Sequence, residues 1–198
     1  MTASTMLFIR HGQTDYNAQR RLQGSLPVPL NAAGQTQAQS LAAYLMDSGI
    51  DAIYASPMTR ALQTAQILAE RLGTMPVQDA RLVETAFGCF EGLTVAEAAA
   101  RFPQEQRRWQ SGFLTYRVPG GESRLDVQRR MRAAWDDMLR ANVASTVAVV
   151  SHGSAIAILL GSLFAKLPET SLRNTSITTL KRHGDTWEIA GYGETPHL

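Results

Sequence analysis

The stretch LFIRHGQTDYN, Leu7 to Asn17, places an arginine, a histidine and a glycine directly after a short apolar run. Met6–Ile9 is continuously apolar, which is typical of a parallel strand that is buried on both faces. A second stretch, VAVVSHGSA from Val147 to Ala155, repeats the order of apolar strand, histidine and glycine. Because ligands of open α/β sheets bind outside the carboxyl ends of the strands, we expect His11 and His152 to face one crevice.

Strand and helix signals alternate along the rest of the chain, as they do in proteins with a parallel sheet. Short apolar runs predict strands, and apolar residues at helical spacing, bounded by Gly or Pro, predict helices. We therefore predict an α/β fold with a mostly parallel central sheet, helices on both faces and a small helical cap. The predicted strands span residues 6–9, 51–55 and 146–150, the predicted helices residues 31–47, 57–72, 94–102, 105–112, 123–141 and 154–163, and the final hairpin residues 176–181 and 186–192, across His183-Gly184-Asp185.

Length and composition favour one soluble domain. The chain has 198 residues, 44% of them apolar, and a chain of this length buries about 70% of its unfolded surface. We predict a single domain over residues 1–198, with the cap inserted at residues 86–120. The apolar run AIAILLGSLFA, from Ala155, is much shorter than the roughly 20 residues of a membrane span, and the start, MTASTMLFI, lacks the basic residues of a signal peptide. These features predict a cytoplasmic protein with no membrane partner.

Charge and cysteine content exclude further classes. A formal net charge of +2 without a long basic run gives no indication of nucleic acid binding. Cys89 is the only cysteine, so no intrachain disulfide can form, and we predict that it is a small buried apolar residue. Trp109, Phe113 and Trp187 are predicted to lie in the core. The sequence gives no oligomeric state.

Two arginines accompany the paired histidines. Arg10 directly precedes His11, and Arg60 lies in SPMTRALQTA, at the start of a predicted helix. The planar donors of a guanidinium and the free amides of a helix start both suit a phosphate group. A lone arginine on a helix is commonly a solvated surface residue, so Arg60 is a candidate phosphate ligand only together with Arg10 and the paired histidines. The other two histidines, His183 in the predicted turn and His197 near the end, are predicted to be exposed to solvent.

Six short blocks follow one another along nearly the whole chain. They are RHGQTDYN from Arg10, LNAAGQTQA from Leu30, SPMTRALQTA from Ser56, LVETAFGCFEG from Leu82, PGGES from Pro119 and SHG from Ser151. The first block resembles the RHGxTxxN signature of the histidine phosphatase superfamily, the phosphoglycerate mutase-like proteins, and the others resemble that family's blocks in its order. RHG alone is a weak signal, whereas the ordered set indicates this superfamily; the segment after the glutamate block, considered below, favours its phosphatase branch.

The resemblance implies catalysis through a covalent phosphohistidine, without a cofactor. His11 is then the nucleophile and Glu84 the general acid and base, with Glu91 as a competing carboxylate that we expect to be structural. The resemblance makes His152 the third catalytic residue. The phosphate-binding groups that it implies are Arg10, Asn17, Arg60 and the amide of Gly153 or Ser154. The family's layout also places walls on the substrate side, at Gln23, Gly24, Phe87, Tyr116 and Glu122, although each of these could be an ordinary loop residue.

Metal binding is the second interpretation of paired histidines. A zinc site needs three or four ligands at spacings such as HxxxH or paired CxxC, whereas each histidine here is followed by Gly-Gln or Gly-Ser. Arg10, next to His11, would also repel a cation. We therefore predict no metal.

The fate of the phosphohistidine separates two enzymatic interpretations. Mutases of the family return the phosphoryl group to a bound intermediate and carry a longer segment after the glutamate block, whereas phosphatases pass the group to water. Residues 87–118 are compact and mainly apolar here, although Arg107, Arg108 and Arg117 are available. We predict a metal-independent phosphomonoesterase that acts through phosphohistidine on a small phosphorylated metabolite. Mutase-type phosphoryl transfer is the alternative, and a non-catalytic phosphate-ligand binding protein, which the complete set of role residues disfavours, is the second.

Overall fold

The computed structural model describes residues 3–141 and 146–198, and these ranges contain six strands and seven α-helices. The strands are β1 (Thr5–Arg10), β2 (Ile50–Ala55), β3 (Val77–Gln78), β4 (Thr146–Ser151), β5 (Ile177–His183) and β6 (Thr186–Glu194). The helices are α1 (Asp15–Ala18), α2 (Ala32–Tyr44), α3 (Thr59–Leu72), α4 (Val95–Arg101), α5 (Pro103–Gln110), α6 (Arg124–Ala141) and α7 (Gly153–Leu163).

All six strands form one sheet, in the order β3-β2-β4-β1-β5-β6. The four strands from β3 to β1 are parallel, whereas β5 and β6 form an antiparallel hairpin that pairs with β1. The predicted α/β fold with a mostly parallel sheet is therefore confirmed. In the register of β1 and β4, Arg10 lies opposite Ser151, so the residue that follows each strand emerges at the same edge.

The strands alternate their side chains between two apolar cores, one on each face of the sheet. On one face Phe8 of β1 packs with α6 and α7, and its ring stacks on Trp135 at a centroid distance of 5.9 Å. On the other face Ile9 packs with α2 and α3, through residues such as Leu41 and Leu68. With helices packed on both faces, only the edges of the sheet are open, and the carboxyl ends of β1 and β4 lie at one of them.

Helices α4 and α5 form the small cap over this edge. Thr94 caps α4 through a reciprocal pair of hydrogen bonds with Glu97, of 3.1 and 2.8 Å, and Pro103 begins α5, where its missing N–H costs nothing. The cap has its own apolar cluster, in which the rings of Phe90 and Trp109 meet edge to face at 6.0 Å. The cap therefore has a core separate from those on the two faces of the sheet.

Several element boundaries differ from the sequence predictions. Helix α3 begins at Thr59 instead of Pro57 because the intervening residue has an extended backbone, with φ −64° and ψ 134°, and serves as the N-cap. The hairpin turn contains only residues 184 and 185, because His183 is still in β5 and pairs with Thr186. Helix α2 ends at residue 44, short of its predicted end, and the very short α1 and β3 have too few residues to give a periodic signal.

The burial of five side chains corrects the sequence predictions. Cys89 is partly buried, at the margin of the cap cluster, instead of fully buried. Phe113, which was predicted in the core, is 71% exposed, while Trp109 and Trp187 are partly buried. His197 is also partly buried instead of solvent-exposed. Periodicity cannot decide these cases because they lie in loops or at the ends of elements.

Candidate active site

The central strands β1 and β4 bring the two predicted catalytic histidines together. His11 follows β1 directly, and its amide donates to the carbonyl of Ser151, the last residue of β4, at 3.0 Å. His152 is the next residue, and the two imidazole rings lie edge to face with their centroids 5.1 Å apart. Both side chains are buried, with exposures of 2% and 0%.

The two ring nitrogens of His11 have different partners. Nδ1 lies 2.7 Å from the carbonyl oxygen of Gly12, which can only accept, so Nδ1 carries the proton and donates it. Nε2 is then unprotonated and accepts a hydrogen bond from Nε of Arg60 at 3.2 Å. Burial, followed by the charges of Arg60 and Arg10, lowers the pKa of His11 well below its usual value of 6.5. His11 is therefore a neutral imidazole with a lone pair on Nε2, which is the form that a nucleophile requires.

Arg60 is fully buried and its guanidinium is held in one orientation. Its Nη1 and Nη2 donate to the carbonyl oxygens of Leu26 and Gly24, each at 2.9 Å, while Nε contacts His11. Burial lowers the pKa of Arg60 to about 10, and the carboxylate of Glu84 opposes this shift. The guanidinium remains charged at neutral pH, and its burial excludes the alternative of a solvated surface arginine.

Glu91 fixes the loop that supplies these carbonyl groups. Its Oε1 accepts from the backbone amides of Ser25 and Phe87 at 2.9 and 3.0 Å, and its Oε2 accepts from the Ser25 hydroxyl at 2.7 Å. Gly24 has a φ of +51°, and a Cβ at that position would lie 2.0 Å from Oε1 of Glu91. Glu91 thus joins the loop before α2 to the cap, and it has the structural contact that the sequence analysis expected.

Arg10 and Asn17 each keep a polar group for a further partner. Nη1 of Arg10 donates to the carbonyl of Leu172 at 2.5 Å, whereas Nε is buried and has no partner among the described residues. Burial lowers the pKa of Arg10 from its usual value. Oδ1 of Asn17 accepts from the amide of Thr14 and from Asn174 Nδ2, both at 3.1 Å, which leaves its own amide nitrogen as a donor.

Glu84 is bound by backbone amides at the start of α7. Oε1 accepts from the amides of Thr85 and Ala155 at 2.8 and 3.0 Å, and Oε2 accepts from the amide of Ser154 at 3.3 Å. The positive end of a helix dipole and its free amides favour a carboxylate there. The Ser154 amide, one of two that the sequence analysis gave to the phosphate, is therefore occupied by Glu84. Gly153 is the first residue of α7, so its amide has no partner within the helix.

An ion pair supports the segment that carries Glu84. Nε and Nη2 of Arg130 donate to the two carboxylate oxygens of Glu122, each at 2.9 Å. The same guanidinium donates to the carbonyl oxygens of Arg81, Val83 and Glu84 at 2.8, 2.7 and 3.0 Å. Although burial alone raises the pKa of Glu122, its hydrogen bonds from Arg130 and from a backbone amide hold it below the usual value. Glu122 thus holds Arg130, which in turn binds the backbone of the segment that carries Glu84.

A cavity of about 330 Å³ opens at His11. It brings together most of the predicted site residues, namely Arg10, His11, Asn17, Gln23, Arg60, Glu84, Phe87, Gly153 and Ser154. His152 lies beside His11 and is fully buried. Gly24 does not line this cavity and instead holds Arg60 through its carbonyl group. Tyr116 and Glu122 line a neighbouring cavity of about 580 Å³, whose wall also includes Phe87 and Ser154.

The sequence analysis missed part of the cavity wall. The missed residues that line it are Arg21, Ala157, Thr170, Ser171, Leu172 and Tyr192. Thr170, Ser171 and Leu172 lie in the loop before β5, and Tyr192 lies on β6; none of these residues follows a short motif. Arg21 is also paired with Glu97 of α4 at 2.6 Å and donates to Gln19 and to the carbonyl of Gly92, so its guanidinium is already bound on several sides. The only signal for these residues is the sheet order, which places β5 beside β1.

Within residues 3–141 and 146–198, no group of three or more His, Cys, Asp or Glu side chains is placed to hold a metal ion. Within the same ranges, no helix has both the length and the apolar character needed to cross a membrane.

The geometry suits one kind of ligand chemistry. The neutral imidazole of His11 lines the same cavity as the positively charged guanidinium groups of Arg10 and Arg60 and the carboxylate of Glu84, and Arg60 contacts its lone pair directly. Such donors, fixed before a ligand arrives, stabilise negative charge that develops on a tetrahedral oxyanion. The arrangement can therefore hold an anion against the nucleophile and supply a proton acceptor or donor nearby.

Comparison with known proteins identifies similar chains. The profile of the histidine phosphatase superfamily (branch 1) matches residues 6–195. The probable phosphoglycerate mutase GpmB of Yersinia enterocolitica is 34% identical over 202 residues, covering 98% of this chain and 94% of that protein. The structure of mycobacterial glucosyl-3-phosphoglycerate phosphatase is 33% identical, with a TM-score of 0.86 over 96% of this chain and 98% of that one. A variant of phosphoserine phosphatase from Entamoeba histolytica, solved with phosphoserine, is 27% identical, with a TM-score of 0.87 over 98% of both chains.

Proposed function

Because the chain belongs to branch 1 of the histidine phosphatase superfamily, we propose that it is a metal-independent phosphomonoesterase that acts on a small phosphorylated metabolite through a phosphohistidine. The observation that carries this proposal is the state of His11. Its Nδ1 proton is donated to Gly12, and its Nε2 lone pair lies in a cavity lined by Arg10 and Arg60. We further propose that residues 1–198 act as a single catalytic domain, with residues 86–120 as its cap.

In the first step, Nε2 of His11 attacks phosphorus and the bond to the leaving-group oxygen breaks. The Arg60 Nε–H, which contacts the Nε2 lone pair at 3.2 Å, has to release it and then donates to a phosphoryl oxygen. The buried Nε–H of Arg10 and the amide nitrogen of Asn17 are further donors. Loss of one such donor commonly costs about 2.7–4 kcal/mol of transition-state stabilisation.

Glu84 transfers the proton in both steps, as general acid in the first and as general base in the second. It takes up a proton before the first step and gives it to the leaving alkoxide. In the second step its carboxylate takes a proton from the water that attacks phosphohistidine, the bond from phosphorus to Nε2 breaks, and neutral His11 is restored. Three backbone amides hold the carboxyl group of Glu84 in place for both proton transfers.

The neighbouring cavity provides space for a bulky leaving group. Its wall includes Phe87, Tyr116 and the exposed Phe113, and it adjoins the histidine cavity at Ser154. We propose that Gln23, Gly24, Phe87, Tyr116 and Glu122 form the substrate side, Gly24 and Glu122 through the groups that they hold in place. Although Arg124 also lines this cavity, its mainly apolar wall favours transfer to water over a mutase that grips a second phosphate.

Mutase-type phosphoryl transfer is the second candidate function. It is favoured by the 34% identity to a probable phosphoglycerate mutase over nearly the full length of both chains. Both reactions share the phosphohistidine, so only its acceptor separates them. A protein that binds a phosphate ligand without turnover is the third candidate.

The proposal is tested with chelator-treated wild-type protein beside the variants His11→Ala and His183→Ala. His183 is a surface histidine at the end of β5, so it provides a matched control. We expect wild type and His183→Ala to release phosphate from p-nitrophenyl phosphate and to form an acid-labile phosphoprotein, and His11→Ala to do neither. Full activity in His11→Ala would overturn the covalent mechanism.

The acceptor is tested with 3-phosphoglycerate and its bisphosphate. Release of inorganic phosphate supports the phosphatase, whereas formation of 2-phosphoglycerate without phosphate release replaces it with the mutase. If neither occurs and phosphate still binds in calorimetry, the binding protein is the better description.

A further inference from the structure

Ser56 is a buried hydroxyl that contacts His152 and that no part of the mechanism above uses. It follows β2, and its amide donates to the carbonyl of Val150 at 3.0 Å, which places it beside the end of β4. Its Oγ lies 2.8 Å from Nε2 of His152, and both side chains are 0% exposed. The same Oγ accepts a hydrogen bond from the amide of Met58 at 3.3 Å.

The other ring nitrogen of His152 has no such partner. Nδ1 is buried and makes no hydrogen bond to any of the described residues. A buried polar atom without a partner is unfavourable, so its presence beside a catalytic cavity requires an explanation. Burial, followed by the charges around it, lowers the pKa of His152 well below 6.5, so the ring is neutral and carries only one N–H.

The single proton of the ring can lie on either nitrogen. If Nε2 carried it, the Ser56 hydroxyl would accept two hydrogen bonds, and its own proton would have no acceptor among the described residues. If Nδ1 carries it, the hydroxyl accepts from Met58 and donates to Nε2, so that every group in the chain from Met58 to Nε2 is satisfied. The second arrangement leaves only the Nδ1–H unpaired, and an N–H is the group that an anion accepts.

We propose that Ser56 is a positioning residue that fixes His152 as its Nδ1–H tautomer, so that a neutral N–H donor lies ready for a phosphoryl oxygen. The donor role rests on the proposed function, whereas the tautomer does not. His11 and His152 then share one protonation pattern for opposite purposes. Both rings carry the proton on Nδ1. In His11 this N–H donates to the carbonyl of Gly12 and leaves the Nε2 lone pair for attack, whereas in His152 the N–H has no protein partner and is left to donate to a ligand.

The tautomer is measured by ¹⁵N NMR of the ligand-free protein, with the His152 signals assigned from a His152→Gln variant. We expect Nδ1 to be protonated and Nε2 to be an acceptor in the wild type. Ser56→Ala should change the ¹⁵N shifts of both ring nitrogens, and Ser56→Thr, which keeps the hydroxyl, should restore them. Ser151→Ala is the matched control, because its buried hydroxyl donates to the carbonyl of Leu82 instead, at 2.7 Å. Protonated Nε2 in the wild type, or unchanged shifts in Ser56→Ala, overturns the proposal.

The donor role is measured by calorimetric titration with vanadate and by hydrolysis of p-nitrophenyl phosphate. We expect Ser56→Ala to weaken vanadate binding and to lower kcat by about 10- to 100-fold each, the size of one hydrogen bond to a charged group. Rescue by Ser56→Thr separates this from a general loss of structure. If the predicted tautomer is found but the wild type hydrolyses nothing, the proposed function fails and the tautomer assignment stands. Unchanged vanadate affinity in Ser56→Ala refutes the donor role alone.

Discussion

Replacement of Gly34 by alanine is expected to separate α2 from the loop that carries His11. A Cβ at Gly34 would lie 2.0 Å from the carbonyl oxygen and 2.7 Å from the amide nitrogen of Gln13, two residues after His11. On the other side, a Cβ at Gly12 would lie 2.6 Å from the carbonyl oxygen of Gly34. All these atoms belong to the backbone, so no side-chain rotation relieves the contact, and α2 or the loop must move.

The sign of the effect on stability follows from two opposing contributions. Within a helix, alanine is normally more favourable than glycine by about 0.5–1 kcal/mol. Overpacking costs about 1–3 kcal/mol, and a clash with backbone atoms belongs to the upper part of that range. We therefore expect Gly34→Ala to lower the free energy of unfolding by about 1–2 kcal/mol. Gly161→Ala in α7 is the matched control, because the nearest atom to its new Cβ is Leu167 Cδ1, at 3.9 Å.

Urea unfolding of both variants beside the wild type tests this reasoning. Gly161→Ala should raise the free energy of unfolding by about 0.5–1 kcal/mol, so two chemically identical substitutions in helices should have opposite signs. A displaced loop should also lower kcat in Gly34→Ala, since a shift of about 1 Å can cost a factor of 10². If Gly34→Ala is as stabilising as Gly161→Ala, α2 does not pack on the nucleophile loop in the way described.

Three further predictions concern charge, protons and the leaving group. Arg60→Lys should lower kcat/KM for p-nitrophenyl phosphate by about 10²–10³, because a lysine cannot contact His11 and two carbonyl groups at once, and an unchanged value would contradict its placement as a phosphoryl donor. The folded state holds His11 and His152 neutral, so the unfolded state binds more protons below pH 6.5. The free energy of unfolding should therefore fall as the pH is lowered below 6.5, by up to about 1.4 kcal/mol per pH unit for each histidine. In urea titrations between pH 7.5 and 5.5, His152→Gln should reduce this slope, and an equal slope would mean that His152 is not buried as a neutral ring. Phe113→Ser should raise KM for 1-naphthyl phosphate but not for phosphoserine. The control is Met75→Ser, which changes a similarly exposed residue outside both cavities. An equal effect of the two variants on KM would exclude the second cavity as the leaving-group site.

The parts of the fold that were predicted correctly have strong local signals. The apolar runs before His11 and His152 predicted β1 and β4, because a strand buried on both faces is uniformly apolar. Helix α3 was predicted from Pro57 near its start and from Gly73, which ends it with a φ of +65°. The failures lie where the signal is short, as in α1 and β3, or where burial depends on distant parts of the chain, as for Phe113 and His197.

The candidate site divides in the same way. By itself the sequence determined which residue types follow which strands, because arginine and histidine directly after an apolar run are a local feature. It also indicated the family, since six ordered blocks cover nearly the whole chain.

Only the tertiary structure decided how these groups are joined. The contacts between Arg60 and His11, between Glu84 and the start of α7, and between Ser56 and His152 link residues 49 to 96 positions apart. Such contacts depend on the order of the strands and on the register that sets Arg10 opposite Ser151, and no local pattern encodes either. For the same reason the sequence did not predict that Thr170, Ser171, Leu172 and Tyr192 line the cavity. These residues, in the loop before β5 and on β6, reach the site because β5 pairs with β1. The sequence thus determined the chemical groups, and the packing of distant segments decided their tautomers, their partners and the free donors they leave for a ligand.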